Sequence, residues 1–190
     1  MRMVIRRGCF ETNSSSMHSI CIRKETGIYT PEEATCGEYL SDDGKLSLMP
    51  YELTFGRSFN ILCTFFDKCR FAIASLEDDT YVRKIATEFI PGFSGFELPT
   101  VWVKDEDGVE QEVPDYGYID TQSVGLLQRF LEKRNVSLKD FLTRREYYVV
   151  IDGDEYCIYD KMLDMGVVSI TDRFPAYGGG YEQFNKERMF

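Results

Sequence analysis

Histidine is nearly missing from this chain: His18 is the only one in 190 residues. Imidazole is the side chain whose ordinary pKa lies near neutrality, so general acid–base work or imidazole ligation has a single possible position. Tryptophan is equally scarce, with Trp102 alone. Positive charge is in deficit. Against 32 aspartates and glutamates stand 22 lysines and arginines, a formal net charge of −10 and a pI of about 4.7. That balance excludes a dominating basic surface, so direct binding to nucleic acid is not expected. No run approaches the ~18 apolar residues of a membrane span, and membrane association is not expected either. Six cysteines (Cys9, Cys21, Cys36, Cys63, Cys69 and Cys157) form no CxxC pair. With one histidine to join them, neither a zinc site nor a disulfide framework is expected. The opening Met-Arg-Met-Val-Ile-Arg-Arg lacks the apolar core of a secretory signal. The expectation is a cytoplasmic protein with reduced thiols, no metal and no cofactor.

What is present is material for a core. Hydrophobic residues make up 43% and aromatic residues 14% of the chain, enough for one domain. The expected organisation is a single domain over residues 1–175 and a mobile tail over residues 176–190, where three successive glycines precede mixed charges. Charge is segregated along the chain. Arg2, Arg6, Arg7, Arg23 and Lys24 make the beginning basic, and Arg129, Lys133, Arg134, Lys139, Arg144 and Arg145 form a second block. Acid gathers at Glu77-Asp78-Asp79, at Asp105-Glu106-Asp107 with Glu110 and Glu112, and at Asp152-Gly153-Asp154-Glu155.

Periodicity predicts the elements. Residues 3–7 and 18–23 read as strands joined in a hairpin across a long loop, with His18, Ile20 and Ile22 on one face of the second. Thr30-Pro31-Glu32-Glu33 is a helix start that Cys36-Gly37 ends quickly. Ser41-Asp42-Asp43-Gly44 is a turn, and residues 51–55 read as a strand. A helix capped by Ser58 carries Ile61, Leu62, Phe65, Phe66, Cys69, Ile73 and Leu76 at helical spacing. Another runs over residues 80–90 to the stop at Pro91-Gly92, and residues 93–96 read as loop. Residues 98–104 and 109–113 form a hairpin. Residues 121–134 form an amphipathic helix, and Ser137 with Asp140 opens a short one. Residues 147–151 and 156–159 pair across Asp152-Gly153-Asp154, residues 161–165 make a helical turn, and residues 167–171 give a last strand. Strand pairs interrupted by helices predict an α+β fold, a mainly antiparallel sheet with helices on one face.

The segment Phe10-Glu11-Thr12-Asn13-Ser14-Ser15-Ser16-Met17-His18-Ser19 concentrates small hydrogen-bonding side chains around the histidine. Three readings stay open. As a catalytic site it offers Ser16, His18 and Glu11, the hydroxyl, base and orienting group that nucleophilic catalysis needs. Ser16 and His18 would lie about 7 Å apart along a strand, so direct contact requires a bend. As an anion site, backbone N–H groups and hydroxyls of Thr12, Asn13, Ser14, Ser15 and Ser16, with Arg6 and Arg7 nearby, would cradle a phosphate or carboxylate. As plain structure, those side chains bond their own backbone and His18 is a half-buried strand residue.

Other motifs carry less. Asp152-Gly153-Asp154-Glu155 lacks the roughly twelve-residue ligand pattern of an EF-hand and reads as a turn. Asp160 and Asp164 stand four apart without further ligands. The acidic hairpin is more informative: Trp102 beside Asp105, Glu106, Asp107, Glu110 and Glu112 combines an aromatic anchor with carboxylates, as protein interfaces do.

The run from Ile5 to Ile20, Ile-Arg-Arg-Gly-Cys-Phe-Glu-Thr-Asn-Ser-Ser-Ser-Met-His-Ser-Ile, resembles the start of a group of uncharacterised phage and prophage proteins of gut-type Firmicutes. Those proteins open with RRG-x-FETNSSS-x-HS. The resemblance covers about a tenth of the chain and implies a phage or mobile-element context, with no catalytic residue to carry over. Together with the acidic charge, it leads to the expectation of a protein that binds a host protein. One version is an anti-CRISPR-like inhibitor of a nucleic-acid enzyme, such as a CRISPR effector, whose carboxylates stand where phosphates are expected. The alternative is an enzyme or an anion- or nucleotide-binding protein working at the Ser-rich segment and His18.

Overall fold

The computed structural model describes residues 17–24, 26–56, 59–105, 108–119, 123–152 and 172–175. The expected strand at residues 3–7, most of the Ser-rich segment, the elements expected over residues 156–171 and the expected tail at residues 176–190 lie outside them. The fold is mixed α+β. A four-stranded antiparallel sheet runs in the order β10 (Asp172–Pro175), β1 (Met17–Ile22), β9 (Tyr147–Asp152), β4 (Asn60–Leu62). Three smaller pairs accompany it among the described residues. β2 (Lys45–Ser47) is parallel to β5 (Gly95–Glu97), and β3 (Thr54–Phe55) is parallel to β8 (Tyr118–Ile119). β6 (Thr100–Lys104) and β7 (Glu110–Pro114) form the antiparallel hairpin that the alternation predicts.

β1 is central, and both its edges are taken over Ser19–Ile22, by β9 on one side and β10 on the other. This corrects the expected hairpin to residues 3–7: long-range strands fill the positions that a local partner would need. Register sets the faces. Ile20, Val149 and Leu62 lie across from one another, as do His18, Ile151 and Asn60. Paired residues point to the same side of a sheet, so these six share the face that carries the helices. On that face Ile20, Leu62, Val149 and Ile151 join one cluster with Phe65, Phe66, Phe130 and Phe141. The opposite face is apolar too, with Cys21, Tyr148 and Val150 buried against Phe59, Ile61 and Cys63.

α2 (Phe65–Leu76) is the core helix. Nearly every side chain along it is buried, including Lys68 and Arg70. The expected cap at Ser58 is six residues early, since the cap is Thr64. Thr64 and Asp67 cap each other's backbone, each donor N–H meeting the other's side chain at 3.1–3.2 Å. That capping box outcompetes helical periodicity and leaves Ile61 and Leu62 extended on β4. α3 (Thr80–Phe89) and the short α1 (Pro31–Ala34), with its Thr30–Glu33 capping box, lie where the sequence predicts them. α5 (Leu138–Thr143), capped by Ser137, does so too.

Other boundaries move for physical reasons. Pro50 starts a 3-10 turn over Pro50–Leu53, so the strand expected at residues 51–55 shrinks to two residues. Gly125, at φ 73°, precedes α4 (Leu126–Arg134) and replaces the earlier start expected at residue 121. Gly95 and Phe96, within the expected loop over residues 93–96, belong to β5 (Gly95–Glu97). The turn between Gly44 and the Pro91-Gly92 stop explains this: a Cβ on Gly44 (φ 79°) would sit 2.0 Å from the Gly92 carbonyl oxygen. That close approach brings β2 alongside β5.

Candidate functional site

Two described regions hold chemistry: the β6–β7 hairpin and a cavity beside α2. The hairpin closes through a compact turn. Gly108 N–H donates to the Asp105 carbonyl at 3.0 Å, and Val109 N–H donates to the Asp105 side chain at 2.8 Å. Register opposes Trp102 to Glu112, Lys104 to Glu110 and Val101 to Val113. One face therefore carries Thr100, Trp102, Lys104, Glu110 and Glu112, and the other carries Val101, Val103 and Val113. Every β6 residue is exposed, Trp102 by 66%. Isolated Trp side chains in water are uncommon, because such a ring buries 150–250 Å² when it finds a partner. Lys104 pairs with Glu110 at 3.3 Å, and the Thr100 hydroxyl donates to Glu112. Of the predicted partner-binding residues, Trp102, Asp105, Glu110 and Glu112 meet on this arm, while Glu106 and Asp107 lie outside the described residues.

The acidic α2–α3 turn adds to the base of the arm. Tyr116, just beyond β7, has its phenol pKa raised by burial and then by the carboxylates of Asp79 and Asp78. The third acidic group, around Asp154, lies beyond the described residues.

The cavity, about 770 Å³, is walled by Glu38, Tyr51, Glu52, Phe55, Asn60 and Arg70. Sequence reasoning missed it, since its parts come from five separate segments, Ile151 of β9 among them. Arg70 is its centre. Its guanidinium meets both oxygens of Glu38 at 2.7 and 2.8 Å, Glu52 at 3.0 Å and Asp67 at 3.9 Å. Burial works against the charge, but the bonds to Glu38 and the neighbouring carboxylates outweigh it and hold the pKa above its ordinary value. The carboxylates have further duties: Glu52 accepts from Met49 N–H at 2.8 Å, and Asp67 caps α2. Arg70 thus ties the loop after α1, the 3-10 turn and the start of α2 together.

His18 stands behind this wall, fully buried, with Nε2 3.1 Å from the Gly56 carbonyl oxygen. A carbonyl only accepts, so Nε2 carries the proton. The other predicted catalytic residues, Ser16 and Glu11, and the predicted anion site (Arg6, Arg7, Thr12, Asn13, Ser14, Ser15 and Ser16) lie outside the described residues.

Lys68 was also missed. It is fully buried, donates to the Arg144 carbonyl at 2.7 Å, and lies 4.8 Å from the Tyr29 ring centre. Burial lowers its pKa from 10.5 to about 7. Tyr29, whose hydroxyl donates to the Cys63 carbonyl, is pushed by burial up to about 12. Three residues of the second basic block are ion-paired: Lys139 with Glu88, Arg144 with Glu146, and Arg145 with Glu33. Among the described residues no three His, Cys, Asp or Glu side chains are grouped to hold a metal ion, and no helix is long and apolar enough to cross a membrane.

No protein-family model, curated protein or solved structure matches this chain.

Proposed function

We propose that the protein acts by binding another protein through the β6–β7 hairpin, and that the surface it meets is basic. The observation that carries this reading is Trp102, the chain's only tryptophan, exposed on a two-stranded arm between Glu112 and Lys104. Such an arm buries no core of its own, whereas an aromatic anchor ringed by polar groups is the composition of an interface hot spot. Asp78 and Asp79 near the base of the arm, and the net charge of −10, favour a cationic partner and speed encounter with it. A more specific form is an anti-CRISPR-like inhibitor that occupies the phosphate-binding groove of a host nucleic-acid enzyme. It draws its support from the phage-type N-terminal signature and the acidic charge.

The test is capture from a bacterial lysate by the tagged protein, with and without nuclease, read by mass spectrometry. The expected result is a nuclease-resistant basic protein that is retained by the native chain. Replacing Asp105, Glu110 and Glu112 with lysine should lose it while the thermal midpoint stays unchanged. Equal capture by the charge-reversed variant would overturn the reading.

A further inference from the structure

The two long edges of the hairpin differ in chemistry, and neither has a further strand neighbour among the described residues. β7 reads Glu-Gln-Glu-Val-Pro and is protected as edge strands usually are, by charge and by a proline that lacks an N–H. β6 reads Thr-Val-Trp-Val-Lys and has no such protection: its one charge, Lys104, is paired with Glu110. An exposed edge rich in β-branched and aromatic residues is a template for another strand.

We propose that β6 pairs antiparallel with β6 of a second copy of this chain, about a two-fold axis at Trp102. The register is self-complementary. Trp102 of one copy lies opposite Trp102 of the other, Val101 opposite Val103, and Thr100 opposite Lys104. No like charges meet, and the cross-strand pairs are those that stabilise sheets. The same operation on β7 about Glu112 would oppose Glu112 to Glu112 and bring Pro114 to the edge, so charge selects β6. The product is a four-stranded sheet in the order β7-β6-β6-β7. One face carries the tryptophan pair between two Glu112 carboxylates, and the other carries Val101, Val103 and Val113 from both copies. The pairing deepens the preceding reading, on which it rests only for its use of the same arm: it doubles the surface offered to a partner.

The test uses the purified intact protein alone. Sedimentation velocity over a wide concentration range should show the mass rising from 22.0 kDa towards twice that value. Because Trp102 is the only tryptophan, a concentration-dependent exciton couplet in circular dichroism reports the tryptophan pair directly. Val101 is 42% exposed, so Val101→Glu spares the core. It should weaken self-association about tenfold or more. Gln111→Glu on β7 should leave self-association unchanged. A mass of 22.0 kDa at every concentration overturns the proposal. So does a dimer that forms without the couplet, or one that Val101→Glu does not weaken. Since no other protein is present, a monomer here leaves the capture result standing on its own.

Discussion

Strands β1 and β6 are alike in length and apolar content, yet they finish in opposite environments. β1 lies between β9 and β10, and every side chain from His18 to Cys21 is buried. Among the described residues β6 has β7 alone beside it, and all five of its residues are exposed. β1's neighbours come from beyond residue 146, while β6's neighbour follows a short turn. Local pairing makes a hairpin; helices packed on a sheet make a core. The core region therefore holds the molecule's stability, and the hairpin leaves its apolar surface for something else.

This contrast can be broken by substitution. The largest loss is expected at Phe130, fully buried with the rings of Phe141, Tyr147 and Phe174 edge-on at 6.2, 5.7 and 5.6 Å. Phe130→Ala should cost about 4 kcal/mol in urea denaturation; a cost as small as that of a surface change would show that this cluster is not the core.

Lys68 sharpens the comparison through pH. Its pKa falls on folding from 10.5 to about 7, so between these values the unfolded chain binds more protons and stability rises with pH; below about 7 the contribution is constant. The shift sets a ceiling of about 5 kcal/mol. Lys68→Met should be more stable than the native chain at pH 7, by about 2 kcal/mol. That advantage should shrink steadily as pH rises from 7 and close only above about 10.5, where the amine is neutral in both states. A gap independent of pH would contradict the assignment.

Arg70→Met should cost about 3 kcal/mol by leaving Glu38, Glu52 and Asp67 to face one another. His18→Ala should cost about 2 kcal/mol by opening a cavity and orphaning the Gly56 carbonyl. A thermal midpoint unchanged by His18→Ala would instead return His18 to the list of functional groups. The smallest effect is expected at the hairpin, where Trp102→Ala should change stability by less than about 0.5 kcal/mol.

Legibility in the sequence divides along the same line. Helix caps and the acidic hairpin were readable because their partners lie within a few residues: Thr30 with Glu33, Ser137 with Asp140, Lys104 with Glu110. The strand expected at residues 18–23 was readable from alternation, but its neighbours were not, since nothing local marks β9 or β10 as its partners. Ile61 and Leu62 fit a helical spacing equally well, and only the Thr64–Asp67 box and pairing with Val150 and Val149 make them strand. On the candidate site, the exposed Trp102 was legible as an aromatic beside carboxylates. The Arg70 network was not, because its members stand as far apart as Glu38 and Arg70.

The most direct test of the account is hydrogen exchange of the intact protein with and without the captured partner. Slowed exchange confined to β6 and β7, with α2 unchanged, is the predicted footprint. Protection around Glu38, Glu52 and Arg70 with the hairpin unaffected would contradict it and place the binding surface at the cavity.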